Sequence, residues 1–579
     1  MAILGIDLGT TNSLATLYKD GKSILVPNAF GELLTPSCVS KIDGKIVVGK
    51  LAKERLITNP QETASLFKRT MGTDKVYRLG KDEFDSATLS SFVVKQLIID
   101  AQNYSLESID ELVISVPAYF NARQRQDTKR IGEILGVKVE RLIIEPSAAA
   151  IACHDKEEYE TFVVFDFGGG TLDVSVVDCF ENVININAIA GNNHLGGSDF
   201  DLAMAKYFCS KNQIHYEQMT KTSQQILLKA CEQAKIELDT KDLTEVSMYL
   251  DKKRISCVFT ENILFSIGLP LLEACKSVIG KAVRDSEFSA DELDGLILVG
   301  GSSQMPILQN YLSNSLNIPV IEKKNIDEIV AFGLGKYIGI KQREEEIKDL
   351  VVTDICPFSL SISTYNEQNP NKDLACVIIP KNSVLPSSKT VHLQTVHKGQ
   401  TKVAINVYQG QAMYAKDNLF LGGTEISVPR NLMENEAFDL TYSYDINSML
   451  YVEAYVRSTK QKYVFKVGKG DKLEKIDASV RLDKIKEVSM QIYQSDEVEF
   501  LLSRIERIYE EVDENTQDYL RHLHGHFSED MKQMNNNIQK RNILINRVKQ
   551  VLDDIEYRQD VDQLDIFSND DEESGGFLA

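Results

Sequence analysis

No pair among the nine cysteines has C-x-x-C spacing. The chain therefore offers neither a zinc site nor a disulfide framework, and scattered thiols of this kind suit a reducing cytoplasm. Positive charge is also scarce: 64 Lys and Arg stand against 85 Asp and Glu, a net charge of −21. Such a surface repels phosphate backbones and anionic bilayers, which argues against nucleic acid or membrane as the main partner. It leaves room for a small anion held by local dipoles and a metal ion. No stretch approaches 18 consecutive apolar residues, so no membrane span is expected. The start, Met1-Ala2-Ile3-Leu4-Gly5-Ile6-Asp7, lacks the basic stretch of a signal peptide. Neither G-x-x-x-x-G-K-[ST] nor G-x-G-x-x-G occurs, which disfavours the two commonest nucleotide folds.

What is present is a multidomain globular composition. At 579 residues the chain is long enough for two to four domains, and 43% hydrophobic with 26% charged residues excludes a disordered or fibrous chain. Up to about residue 345, short apolar runs alternate with helical periods, as in α/β architecture. Val113–Val116, Phe162–Phe165 and Leu296–Val299 are buried-strand candidates. From about 355 to 467, Val403, Ile405 and Val407 alternate with Ala404, Asn406 and Tyr408, and Phe438 to Val456 reads as two strands around a turn near Asn447. Period-two alternation without helices indicates an antiparallel β-domain. Beyond 471, Val498, Leu501, Ile505, Ile508 and Val512 share a helical face, as do Ile538, Ile545, Val548, Leu552 and Ile555. Residues 561–579 form an acidic, disorder-type tail. Arg343 to Asp349 reads as a charged helix end leading into Leu350-Val351-Val352-Thr353-Asp354. A plain linker would be rich in Gly, Ser or Pro, so this apolar one is expected to dock.

Gly5-Ile6-Asp7-Leu8-Gly9-Thr10-Thr11-Asn12-Ser13 is a strand entering a turn of glycine and hydroxyls, and Phe165-Asp166-Phe167-Gly168-Gly169-Gly170-Thr171-Leu172-Asp173 repeats that grammar. Glycine lets backbone N–H groups close on phosphate oxygens, and the Asp before each turn suits Mg²⁺ held through its waters. One such turn says little. Two in corresponding places imply duplicated lobes gripping phosphates between them. A third turn, Val299-Gly300-Gly301-Ser302-Ser303-Gln304-Met305-Pro306, could floor a nucleoside pocket.

These residues resemble the DnaK-type, heat-shock-70 chaperone family, whose ATPase domain is similar to actin and hexokinase. Val116–Asn121, Ile144–Ala150 and His194–Asp201 carry the resemblance further, and it runs colinearly over roughly residues 1 to 467. Phe67–Gly72, Ser302–Pro306 and Thr353–Pro357 resemble the HscC branch in particular. The resemblance implies an actin-like nucleotide-binding domain over 1–345, a linker over 346–354, a β-sandwich substrate-binding domain over 355–470 and an α-helical lid over 471–560. It implies ATP and ADP as ligands, with Mg²⁺ and K⁺ as cations.

By that resemblance Gly9, Thr10, Thr11 and Asn12 would cradle the β- and γ-phosphates, with Gly168, Gly169, Gly170 and Thr171 facing them. Asp7, Asp166 and Asp173 would hold the cations. Lys68 would neutralise the γ-phosphate and orient the attacking water, with Glu145, Asp166 and Thr171 completing the catalytic set. Alone, Lys68 would read as a surface lysine, and Glu145 and Asp173 as capping or ion-pair residues. Glu232, Lys235, Ile236 and Asp239 would line the adenosine site with Gly300, Gly301, Ser302, Gln304 and Asp327. Asp239 stands where a serine is usual and Gln304 where many members stack an arginine on the base, which removes a cation–π contact.

The same resemblance makes Val403 and Ile405 pocket-lining residues for an extended apolar peptide, with Ala375 and Val396 arching over it; without it, alternating apolar residues would be core. Pro117 and Arg125 would relay nucleotide state, Leu350, Val351, Val352 and Asp354 would be the docking linker, and Arg141 and Asp354 would meet a J-domain co-chaperone. Thr353 replaces an apolar linker position, which should weaken docking, and Ile144 replaces a usual asparagine. Segments 72–88 and 250–256 are shorter than in longer relatives, and the second lies in a lobe that nucleotide-exchange factors contact, so the need for such a factor stays open. The lid is shorter than most and ends at Gly576-Phe577-Leu578-Ala579.

The expectation is a cytoplasmic ATP-driven chaperone that binds unfolded or extended polypeptides. An actin-fold small-molecule kinase is the first alternative and a non-hydrolysing holdase the second. The β-domain and apolar linker argue against the kinase, and the matching phosphate-site residues against the holdase. An actin-like filament former would not need the last 230 or so residues.

Overall fold

The computed structural model describes residues 2–558 apart from 43–44, 154–159, 181–182, 251–252, 317, 322–324, 345–346, 348–349, 367–368, 370–371, 448, 468–472, 476–500, 502–504, 506–513 and 534–537. Residues 1–478 form one compact unit and 479–579 a second.

The first unit holds two mixed sheets of the same design. One runs in the order Lys138–Ile144, Ile109–Val116, Ala2–Asp7, Asn12–Lys19, Lys22–Leu25. Its first three strands are parallel and the last two antiparallel. The other runs Val320–Ile321, Gly295–Val299, Thr161–Phe167, Leu172–Phe180, Val183–Asn192, again parallel and then antiparallel. In each, the central strand is nearly continuous apolar sequence because both faces are covered. An aspartate lies at or next to its end before a glycine turn, Asp7 closing the first strand and Asp166 standing one residue before the end of the second. The expected Val113, Phe162 and Leu296 runs lie in these sheets. One apolar core takes in the first sheet and one face of the second, through Phe162, Val164 and Ile297, and another covers the second sheet's opposite face, through Val163, Phe165 and Leu296. The second sheet has a sixth strand, Val351–Thr353, paired in parallel with Val183–Asn192.

Helix Ile329–Lys341 crosses helix Glu145–Cys153 beside the first sheet, and a Cβ on Gly333 would overlap the Ala148 carbonyl, so only glycine permits this approach. The helix ends at Lys341, with Arg343 at φ 57°. The charged stretch from Arg343 is thus the turn after the helix rather than its end; a left-handed residue stops the helix before the charges begin. Residues 345–346 and 348–349 of it lie outside the described residues. Helix Glu261–Asp285 is long and apolar enough, by length and composition, to cross a membrane, which the search for an unbroken apolar run did not reveal. Leu264, Gly268, Leu272, Cys275, Ile279 and Ala282 recur every three or four residues and are buried against the second core.

The sandwich follows. Leu374–Ile379, Leu360–Thr364, Lys402–Gln409 and Leu419–Ser427 form one antiparallel sheet. Ser387–Gln394, Ala437–Tyr444, Leu450–Val456, Gln461–Val467 and Leu473–Lys475 form the other. The turn near Asn447 joins the second and third of these strands. Leu360, Ile405, Val407, Leu440, Tyr442 and Val452 fill the space between the sheets, and the Tyr442 hydroxyl donates to the Ser361 carbonyl at 3.2 Å across it.

In the second unit, helices Glu514–Gln533 and Ile538–Arg558 bury Leu520, Phe527, Ile545, Val548, Leu552 and Ile555 with Leu501 and Ile505. The expected faces at Val498, Ile508 and Val512, the side chain of Ile538 and the acidic tail lie outside the described residues.

Candidate functional site

The two aspartate–glycine turns meet face to face. Gly9 turns so tightly that a Cβ would overlap the Asn12 carbonyl, and Ser37 braces the turn, its hydroxyl donating to the Gly9 carbonyl at 2.8 Å and its N–H to that of Thr11 at 2.8 Å. Opposite, the amides of Gly197 and Ser198, at the start of helix Gly197–Lys211, donate to the carbonyls of Gly168 and Gly169, each at 3.0 Å. A Cβ on Gly169 would collide with Thr11 Oγ1, and one on Gly170 would stand 2.5 Å from Thr10 Cγ2. Arg69 spans the gap: its Nε donates to the Gly170 carbonyl at 3.0 Å and its guanidinium pairs with Asp199 at 2.7 Å.

A 740 Å³ cavity opens between them. Every expected nucleotide residue lines it except Gly170; Asp7, Glu145 and Asp166 line it too, and Asp173 lies behind its wall. Lys68, on a single turn at Phe67–Thr70, is 3% exposed, so it is no surface lysine. Its Nζ pairs with Glu145 Oε1 at 2.7 Å and lies 5.7 Å from the Phe120 ring centroid.

Around this pair the acids outnumber the cations. Burial, then the Glu145 charge, raises Asp7 to about 6, although Lys68 and a 2.7 Å hydrogen bond from the Ser115 hydroxyl oppose the shift. Burial and the charges of Glu145, Asp173 and Asp7 push Asp166 well above the usual carboxylate range. Asp173 is raised to about 7, by burial first and Glu145 second, against amide N–H donors from Tyr119 and Ala118; its Oδ2 has no partner. Three buried carboxylates and the half-buried Asp7 beside one ammonium favour further positive charge, a cation or bound protons. Among the described residues no three His, Cys, Asp or Glu are placed to ligate a metal directly; carboxylate oxygens are the donors that hard, hydrated cations take.

Further along the cavity, Lys235 Nζ pairs with Asp201 at 2.7 Å and donates to the Gly197 carbonyl at 3.0 Å, while burial holds Asp201 up at about 6. Lys53 reaches Glu232 at 3.5 Å. At the far end Gln304 is exposed and its amide donates to Asp327 at 3.3 Å, burial raises Asp239, and Ile236 is exposed.

The expected relay residues cluster where the sandwich meets the sheets. Pro117 is buried, and Arg125 spends its guanidinium on the carbonyls of Phe120 and Ala118, both at 3.0 Å. Asp354 accepts from Ser147 and lies 3.6 Å from Arg141. Leu350 and Val352 pack on the first core. Thr353 does not stand idle in its strand: its hydroxyl donates to Asn185 Oδ1 at 2.6 Å, a side-chain bond that an apolar residue could not make. In the sandwich, Ile405 is fully buried in the core and Val403 half-buried, Val396 is exposed on a loop, and Ala375 sits within a strand, its N–H bonded to the Met413 carbonyl at 2.9 Å.

With this geometry in place, comparison with known proteins is decisive. The family model described as Hsp70 protein matches residues 3–573. The chain belongs to the Hsp70 family. Among curated relatives it is similar to the chaperone protein DnaK of Thermotoga petrophila and of Thermotoga neapolitana, each 37% identical over 470 residues and covering 78% of both chains. It is also similar to the DnaK of Thermosipho melanesiensis, 33% identical over 533 residues, covering 89% of this chain and 88% of the relative. In this Hsp70 the sequence reading passed over Arg69, Lys53 and Asp201 as site residues. Arg69 and Asp201 lie inside motifs already quoted, beside a site lysine and at a helix start, and their charge was the available signal. Lys53 has no local signal, because its partner Glu232 lies 179 residues away.

Proposed function

We propose that this Hsp70 is an ATP-dependent molecular chaperone of the HscC-like type, with the cleft between its two glycine turns as the ATPase site and its sandwich as the binding site for extended apolar polypeptide. The observation that carries this is the pair of facing turns around Lys68–Glu145 with its surplus of buried carboxylates. Thr10, Thr11, Asn12, Gly169 and Thr171 would cradle the phosphates through backbone and hydroxyl donors. Lys68, held by Glu145, would neutralise the γ-phosphate and align water for in-line attack, as any phosphoryl transfer requires. Asp7, Asp166 and Asp173 would hold hydrated Mg²⁺, with K⁺ beside it. Bound there, Mg²⁺ supplies the charge neutralisation that the acids lack. Glu232, Lys235 and Asp239 would take the nucleoside with Gln304 and Asp327.

ATP would favour the docked arrangement, with fast peptide exchange, and hydrolysis would release it and retain the client. That is a two-state element biased by nucleotide. A J-domain partner would be received near Arg141 and Asp354, and the setting would be the cytoplasm. The test is steady-state ATP turnover with and without an extended apolar peptide. Turnover that rises with peptide and disappears in Lys68→Ala is expected. Turnover that survives in Lys68→Ala would remove the chemistry assigned here.

A further inference from the structure

Tyr119 is held on every side where the cleft wall meets the sandwich. Its amide N–H donates to Asp173 Oδ1 at 3.1 Å, so the turn after Val116 is pinned to a carboxylate of the cation cluster. Its carbonyl accepts from Asn193 Nδ2 at 3.1 Å, and its hydroxyl accepts from Lys281 Nζ at 3.1 Å. A Cβ on Gly191 would stand 2.9 Å from the Tyr119 Cβ, so this close approach requires glycine there. The ring lies against Phe358, centroids 4.4 Å apart at 58°. Phe358 is anchored in turn, because its carbonyl accepts from the Cys356 thiol at 2.9 Å. Nearby, Lys381 pairs with Asp285 and Asn382 Nδ2 donates to the Asp285 carbonyl at 3.2 Å, on the helix that supplies Lys281. One residue thus separates a cleft carboxylate from the first turn of the sandwich.

We propose that Tyr119 is a positioning residue that transmits the seating of Asp173 to the sandwich through its ring contact with Phe358. This rests on the chaperone reading above. A contact can bias two arrangements only if it exists in one of them. The ring pair joins residues 239 positions apart in sequence, one in the turn after Ile109–Val116 and one in the turn before Leu360–Thr364, so it forms only while the sandwich is docked, whereas the Asp173 bond is local to the cleft. Aromatic pairs at this spacing change an equilibrium by roughly two- to twelvefold.

The experiment measures dissociation of a fluorescent leucine-rich heptapeptide from the full chain with ATP and with ADP. The variants are Tyr119→Phe, Tyr119→Leu, Phe358→Leu and the double leucine variant. The ADP rate is expected to stay at the wild-type value throughout. The acceleration by ATP should fall about two- to twelvefold in each leucine variant, and the double should lose no more than the worse single. Tyr119→Phe should keep the acceleration, since it keeps the ring. If a leucine variant does not fold, Phe358→Met gives the same reading. Leucine variants with wild-type acceleration, a double that loses the product of the singles, or Tyr119→Phe losing as much as Tyr119→Leu would overturn the ring path. A wild-type chain that releases peptide equally in ATP and ADP would instead overturn the chaperone reading beneath it.

Discussion

The cleft and the sandwich carry their proposed functions in opposite ways. In the cleft the working residues break the rules of a stable interior. Asp7, Asp166 and Asp173 are crowded acids whose carboxyls burial and neighbouring negative charge hold above the usual range, and Gly9 and Gly169 occupy points where an added side chain would collide with a neighbour. In the sandwich they obey those rules: Ile405 is at once an expected pocket residue and a fully buried member of the core. Function written as a violation stands out from background, while function written in core residues does not. The two regions should also fail differently, the cleft in activity and the sandwich in stability.

The sharpest way to break that contrast is Gly169→Val. The added side chain collides with Thr11, so ATP affinity is expected to fall by about 100-fold with the melting temperature nearly unchanged. Calorimetric titration against thermal unfolding separates the two. Ile405→Ala should do the reverse, costing about 2–5 kcal/mol of stability through a core cavity while peptide-free ATP turnover persists; denaturant unfolding followed by turnover at low temperature checks it. Val352→Asp places an unpaired charge against the first core and should cost about 1–3 kcal/mol from the docked arrangement alone. ATP would then no longer speed peptide release, though hydrolysis continues. Normal ATP-driven release in this variant would mean that the strand is a passive tether.

The smallest effect is the pH dependence. Asp7 and Asp173 titrate near 6 and 7 when folded, against about 4 in an unfolded chain. Between those values the folded state holds protons that the unfolded state has lost, so these groups contribute stability that declines as pH rises from about 4 to 7. Mg²⁺ with nucleotide requires the ionised form. The rise in melting temperature it produces should therefore be larger at pH 7.5 than at pH 5.5, on the order of a few degrees. An equal rise at both pH values would show that the acids are already ionised.

Much of this was legible in the sequence. The aspartate–glycine repeats announced two lobes because glycine and buried acid have few other uses together. The alternation at Val403–Val407 announced antiparallel strands because the pleat has a period of two. What stayed hidden depends on long-range pairing. Nothing local says that Lys53 meets Glu232, that the Tyr119 ring lies against Phe358, or that Thr353 finds Asn185. The charged run after Lys341 misled for a related reason: its composition suits a helix, and the left-handed residue that ends the helix is an arginine rather than a glycine.

The sixth strand of the second sheet has one more consequence. Three register pairs, from Val183 with Val351 to Asn185 with Thr353, cover the first three residues of the outer side of strand Val183–Asn192. Whenever the segment lifts away, strand Val183–Asn192 is left with bare amide and carbonyl groups, the pattern that recruits stray strands from other chains. A protein proposed to hold aggregation-prone polypeptides thus bares a sticky border of its own in each cycle. The safeguard is brevity: only three residues are uncovered, and the strand fitted to them remains tethered a few residues away.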